Sequence, residues 1–258
     1  MKKNLLGIMA ALITLAFLAV PACKKADEQK GATHAPVLTP EQKKQAEIVK
    51  KGIEESKKIV VARVNGAEIT MSVIIRAMNK LAPRYIKEGQ PATPEITEKI
   101  KKATIDRAIF EELAVQEAIR QGINVKPETV NNVIKNLKTQ LGSEKAYKEY
   151  LGNAGLTEDG LKKQIERSHR FELITAKEIY QKIQPDEKKM RDKYEKNKDK
   201  FAVRTSKNAP PKQMTFEESR DIIERMLKAE IGEKRIKEWD SELRKNAKIE
   251  VLRGDGVN

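Results

Sequence analysis

Cysteine is almost absent: the 258-residue chain has one, Cys23. One cysteine permits no intramolecular disulfide, so the folded part must be held by packing and hydrogen bonds alone. Histidine is nearly as scarce, with only His34 and His169. So few ligands exclude a Cys/His cluster of zinc spacing, and no metal site is expected. Aromatic residues are 4% of the chain and charged residues 35%, a mix that suits long solvated helices better than a β-sandwich or barrel. There is no Gly-rich phosphate loop and no Gly-x-Ser-x-Gly elbow, so no nucleotide or other cofactor and no hydrolase site are expected.

What the chain does have is basic charge, 52 Lys and Arg against 38 Asp and Glu, a formal balance of +14. Such a balance fits nucleic acid, an anionic membrane surface or acidic protein partners. The lysines are interspersed with acids rather than blocked, which reads mostly as a solvated surface with long-range attraction for acidic clients.

The N-terminus sets the compartment to expect. Lys2 and Lys3 precede an uncharged apolar run, Leu5 to Val20, too short for a comfortable membrane span, and then Pro21-Ala22-Cys23. Val20-Pro21-Ala22-Cys23 resembles a bacterial lipobox, which implies that Cys23 is the lipidated first residue of the mature chain; the other reading is an ordinary secretory signal with an incidental cysteine. An exported protein has no nucleic acid to meet. Lys24 to Leu38 is polar and Pro/Gly-punctuated, a random-coil tether with a reach of ~20 Å. The expected organisation is signal peptide 1–22, tether 23–38 and a helical domain 39–258.

Helical period dominates that domain. Thr39-Pro40 opens a weakly apolar helix to about Lys58, with Ala46, Val49 and Ile53 its stripe. Ile59 to Val64 is strand-like and meets Asn65-Gly66, the strongest short hairpin signal, with Ala67-Glu68-Ile69 returning. Thr70 is the expected cap of a helix carrying Ile74, Met78 and Leu81 and stopping near Pro83. Helices follow from Thr93-Pro94 to Gly122, from Pro127 to Gly142, around Tyr147, Tyr150 and Leu151, from Thr157 to about Ile183, and around Met190 and Tyr194. Residues 202–214 read as a loop, because Pro210-Pro211 exclude helix. Thr215 to Glu218 is a capping box opening a last helix with Ile223, Leu227, Ile231, Ile236, Trp239 and Leu243. Ala247 to Leu252 alternates like a strand, and a lone hairpin needs an edge partner. The expected fold is mainly α, with the first hairpin and the last strand closing a multi-helix core in a small antiparallel sheet.

In order and character, these segments resemble the SurA/PrsA-type periplasmic chaperones. The resemblance runs from the Val60–Thr70 hairpin through Ile105–Ile123, Tyr150–Leu173 and Met190–Phe201 to the closing helix and strand, about residues 59–252. It implies a SurA N-terminal-like core that binds unfolded exported or outer-membrane polypeptides without ATP. Relatives usually insert a parvulin prolyl isomerase domain where this chain has only the loop 202–214, and such a domain needs on the order of a hundred residues. No catalytic residue and no isomerase activity are therefore expected. The other readings are an adaptor lipoprotein with one fixed envelope partner and, disfavoured, a prolyl isomerase. Lys24 after Cys23 is not the aspartate of inner-membrane retention, so the expected location is periplasm-facing and at the outer membrane if the cell is Gram-negative.

Candidate client contacts are Ile74, Met78, Leu81, Tyr85, Tyr147, Tyr150, Met190 and Tyr194, since methionine and tyrosine suit adaptable surfaces. The same spacing equally serves core packing. Glu166 and His169 share a helix face, but one Glu-x-x-His pair falls short of a di-metal bundle, so a half-buried helix-face histidine is expected.

Replacing Cys23→Ser is expected to leave the protein without covalent lipid, either unprocessed or released from membranes. Mass spectrometry of the membrane fraction checks this; a lipid still attached to the variant refutes the anchor.

Overall fold

The computed structural model describes residues 51–52, 54–86, 93–203 and 210–252. The expected signal segment and tether, Cys23, His34 and the stripe Ala46, Val49 and Ile53 lie outside the described residues. Two compact units divide the chain: one holds residues up to Glu112, Glu128–Gln164 and from Ala247 on, the other Leu113–Pro127 and Ile165–Asn246.

The first unit contains the expected sheet. Strands β1 (Val60–Val64) and β2 (Ala67–Thr70) are antiparallel, with Val64 opposite Ala67. Asn65 (φ 51°) and Gly66 (φ 88°) both take the left-handed conformation that a two-residue hairpin turn of matching twist requires. The C-terminal strand, β5 (Ile249–Val251), pairs antiparallel with the other side of β1, giving the order β2-β1-β5. Central β1 is covered on both faces: Val61, Ala62 and Val64 are all fully buried.

Asn65 ties the ends of this sheet together. Its backbone N–H donates to the Lys248 carbonyl at 2.8 Å, and its side-chain Oδ1 accepts from the Lys248 N–H at 2.8 Å. At the far end the Leu252 N–H donates to the Val61 carbonyl at 2.8 Å. Asparagine does two jobs here, tolerating positive φ and capping the incoming strand.

Helix α1 (Met71–Leu81) follows directly, and Thr70 behaves differently from expectation. It occupies the N-cap position, but its hydroxyl lies 2.9 Å from the Ser72 hydroxyl and caps no backbone N–H. Met71, Ile74 and Met78 are buried on one side of α1, and the helix gives way at Pro83 to a single 3-10 turn, Ala82–Arg84. Helix α2 (Pro94–Arg120) starts where Thr93 Oγ1 accepts from the Ile96 N–H at 3.2 Å. Helices α3 (Pro127–Leu141) and α4 (Glu144–Ala154) complete this unit together with the start of α5 (Glu158–Glu178).

In the second unit α2 ends in a Schellman arrangement: Gly122 (φ 70°) donates to the Ile119 carbonyl and Ile123 to that of Ala118. Gln121 joins this end of α2 to the end of α5. Its Nε2 donates to Glu117 at 2.7 Å and to Glu178 at 3.1 Å, while Lys177 donates to its Oε1 at 2.6 Å.

Helices α6 (Glu187–Lys196) and α7 (Phe216–Lys245) pack around Met190, Tyr194, Phe201, Ile223 and Leu227. The capping box of α7 forms in full, Thr215 and Glu218 satisfying each other's backbone N–H. Glu187 bonds both Arg191 on its own helix and Arg220 on α7, at 2.7 and 2.8 Å. The segment expected as plain loop carries two short antiparallel strands, β3 (Ala202–Val203) and β4 (Lys212–Gln213). Proline excludes helix but not an edge pairing just outside it, and Gln213 latches the return by donating to the Lys198 and Phe201 carbonyls.

Two outcomes follow. Asn65→Ala is expected to cost about 2 kcal/mol, roughly half from the left-handed backbone and half from the lost bond to Lys248, whereas Asn65→Gly loses the second part only. Urea unfolding of both variants checks the split. In the second unit, the hydrogen bond from Arg120, and then that from Gln121, holds the Glu117 carboxyl below its ordinary pKa; Lys182, then Gln121, does the same for Glu178. A depressed folded-state pKa contributes stability that is fully present above the unfolded carboxylate value and is lost as pH falls on through the lower folded-state value. Gln121→Ala is therefore expected to lower the melting temperature at neutral and alkaline pH, with the gap from the parent protein shrinking as pH falls through the depressed folded-state values.

Candidate client-binding surface

The eight candidate contacts separate by burial. Ile74 and Met78 are fully buried on the inner side of α1, and Leu81 is half-buried. Tyr147 on α4 is 1% exposed, with the Lys138 ammonium 4.4 Å from its ring centroid. Its hydroxyl has no hydrogen-bond partner among the described residues, and burial pushes its pKa above the ordinary phenol value. Met190 and Tyr194 belong to the second unit's core. The Tyr194 ring stacks on Phe201 at 5.6 Å and meets Phe216 edge-on at 5.9 Å, and its hydroxyl donates to the Met214 carbonyl at 2.6 Å.

In the folded state these five buried side chains are therefore packing residues, reachable only if a core opens. The reason is geometric: a groove and a core both demand apolar residues at i, i+4 and i+7, so spacing does not tell them apart. Tyr85 and Tyr150, each 39% exposed, are the candidates that stand in solvent.

Other exposed apolar side chains carried no signal in the sequence. Val73 and Val251 belong to the first unit, and Ile119, Leu173, Tyr180 and Val203 to the second. Tyr180 is fixed by a close approach: a Cβ built on Gly232 would stand 2.8 Å from its ring. That glycine sits in the middle of α7, where helix propensity disfavours it, and the departure from propensity was its only visible mark.

His169 is half-buried, as expected for a helix-face histidine, and its Nδ1 lies 3.0 Å from Glu172. Glu166 pairs instead with Arg170, which also donates to the Ile123 carbonyl at 3.2 Å. Among the described residues no group of three or more His, Cys, Asp or Glu is arranged to hold a metal, and no helix is long and apolar enough to cross a membrane.

The first unit's outer surface has one distinctive charge feature. Between residues 69 and 87 there is no Asp or Glu, while Arg76, Lys80 and Arg84 follow one another on the side of α1 and its 3-10 turn opposite Ile74 and Met78. Residues 46–172 match the family described as the SurA-like N-terminal domain. That segment is a SurA-like N-terminal domain. The SurA-like domain contains Ile74, Met78, Leu81, Tyr85, Tyr147 and Tyr150, while Met190 and Tyr194 lie beyond it. A solved structure is similar at 14% identity and a TM-score of 0.45, covering 76% of this chain and 100% of that one. It comes from work on two structurally related SurA-like chaperones of the human pathogen Campylobacter jejuni, the virulence factor PEB4 and the periplasmic protein Cj1289. No curated protein matches the chain.

Proposed function

We propose that this protein is a lipid-anchored envelope chaperone that holds unfolded exported polypeptides, outer-membrane proteins among them, without ATP. The observation that carries the reading is the SurA-like domain over residues 46–172. The lipobox-like Val20-Pro21-Ala22-Cys23 supports export and anchoring, with 1–22 as signal peptide and 23–38 as the tether to a domain running from 39 to 258. The site of action is then the periplasm-facing side of the envelope, at the outer membrane in a Gram-negative cell.

Holding needs reversible contact and no bond chemistry. Singly exposed side chains, Tyr85 and Tyr150 in the first unit and Leu173 and Tyr180 in the second, offer shallow apolar contacts. That distribution favours many weakly held clients over a single fixed partner. Prolyl isomerisation has no place in this mechanism, because the short segment 202–214 leaves no room for the domain that performs it in relatives.

The full-length protein is expected to suppress aggregation of an unfolded outer-membrane protein at near-stoichiometric ratios, equally with and without ATP. It is also expected not to accelerate X-Pro isomerisation in a test peptide. Light scattering and a protease-coupled peptide assay read these out. Unchecked aggregation of every client, combined with tight capture of one envelope protein, would replace holding with the adaptor role.

A further inference from the structure

Every α-helix of the described structure except α1 contains acidic residues, and most stitch their lysines and arginines into ion pairs along the helix. On α1 and its 3-10 turn, Arg76, Lys80 and Arg84 have no ion-pair or hydrogen-bond partner among the described residues. They fall at i, i+4 and i+8, and together with Val73 they face away from buried Met71, Ile74 and Met78. Val73 and Tyr85, both 39% exposed, stand at the two ends of this cationic row.

We propose that this outer face of α1, from Val73 through Arg76, Lys80 and Arg84 to Tyr85, docks acidic amphipathic segments of unfolded client polypeptides. The inference rests on the holding-chaperone reading and names its contact surface and client class. Charge complementarity carries it: cations at helical spacing with no partner among the described residues, flanked by apolar contacts, match an extended segment with alternating carboxylates and apolar side chains. Arg76 is the central anchor. It is half-buried, and desolvation pushes its pKa down, so an arriving carboxylate relieves a cost already present in the free protein. A lipid surface would meet the same cations. One valine and one tyrosine, however, are far less apolar area than a helix needs to lie in a bilayer interface.

The test titrates the full-length protein, in detergent, with two fluorescent peptides of identical apolar sequence, one with acidic and one with lysine residues at the intervening positions. The acidic peptide is expected to bind about tenfold more tightly, with the gap closing at high salt. Combined Arg76→Glu, Lys80→Glu and Arg84→Glu is expected to reverse the preference. The same three positions changed to Gln should abolish it, which keeps the test intact should the charge-reversed protein misfold. Equal binding of both peptides, or a preference untouched by both variants, overturns the assignment. So does charge-dependent binding to phosphatidylglycerol vesicles with neither peptide bound, which would make this a membrane face. Aggregation assays separate the two levels. Suppression without charge selectivity removes only the α1 assignment, whereas selectivity that follows the α1 charges without suppression removes the holding role and keeps the docking site.

Discussion

The pairing of β5 with β1 is the constraint on which the first unit depends. A two-stranded hairpin of this size is marginal in water and leaves both edges open. With β5 in place, β1 becomes an internal strand, and Val61, Ala62 and Val64 can all be fully buried. Asn65 fixes the register of that pairing, since its own N–H and its side-chain oxygen both engage Lys248. A one-residue slip would lose both bonds and turn the buried faces outward.

The elements with strong local chemistry were legible in the sequence. Asn65-Gly66 marks a turn because few residue pairs accept positive φ twice, and Thr215-x-x-Glu218 marks a helix start because each partner satisfies the other's backbone. Glycine after the last helical turn marked the ends of α2, α3 and α4 for the same conformational reason. The closing role of residues 247–252 was legible by elimination, since an open hairpin needed a partner.

Surface was not legible. Met190 and Tyr194 resemble a binding stripe in sequence, yet their environment is made by Phe201, Ile223 and Leu227, which come from other elements. Tyr147 and Tyr150 sit three residues apart on one short helix, one fully buried and the other in solvent. Only neighbours distant in sequence decide which side of a helix is covered. Thr70 shows the same limit at short range: the cap position was correct, but the Ser72 hydroxyl competes successfully for its side chain. The acid-free stretch around α1 is the reverse case, plain in the sequence but without meaning until its cations were seen opposite the buried face.

The span between Asn65 and Lys248, 183 residues along the chain, also governs the order of folding. Synthesis delivers the hairpin of β1 and β2 long before β5. Until then β1 keeps an unpaired edge, and the first unit waits for almost the whole second unit to emerge. Such long-range closure is slow and leaves a pairing edge open in the meantime. A nascent chain therefore carries an open edge on β1 until residues 249–251 are made.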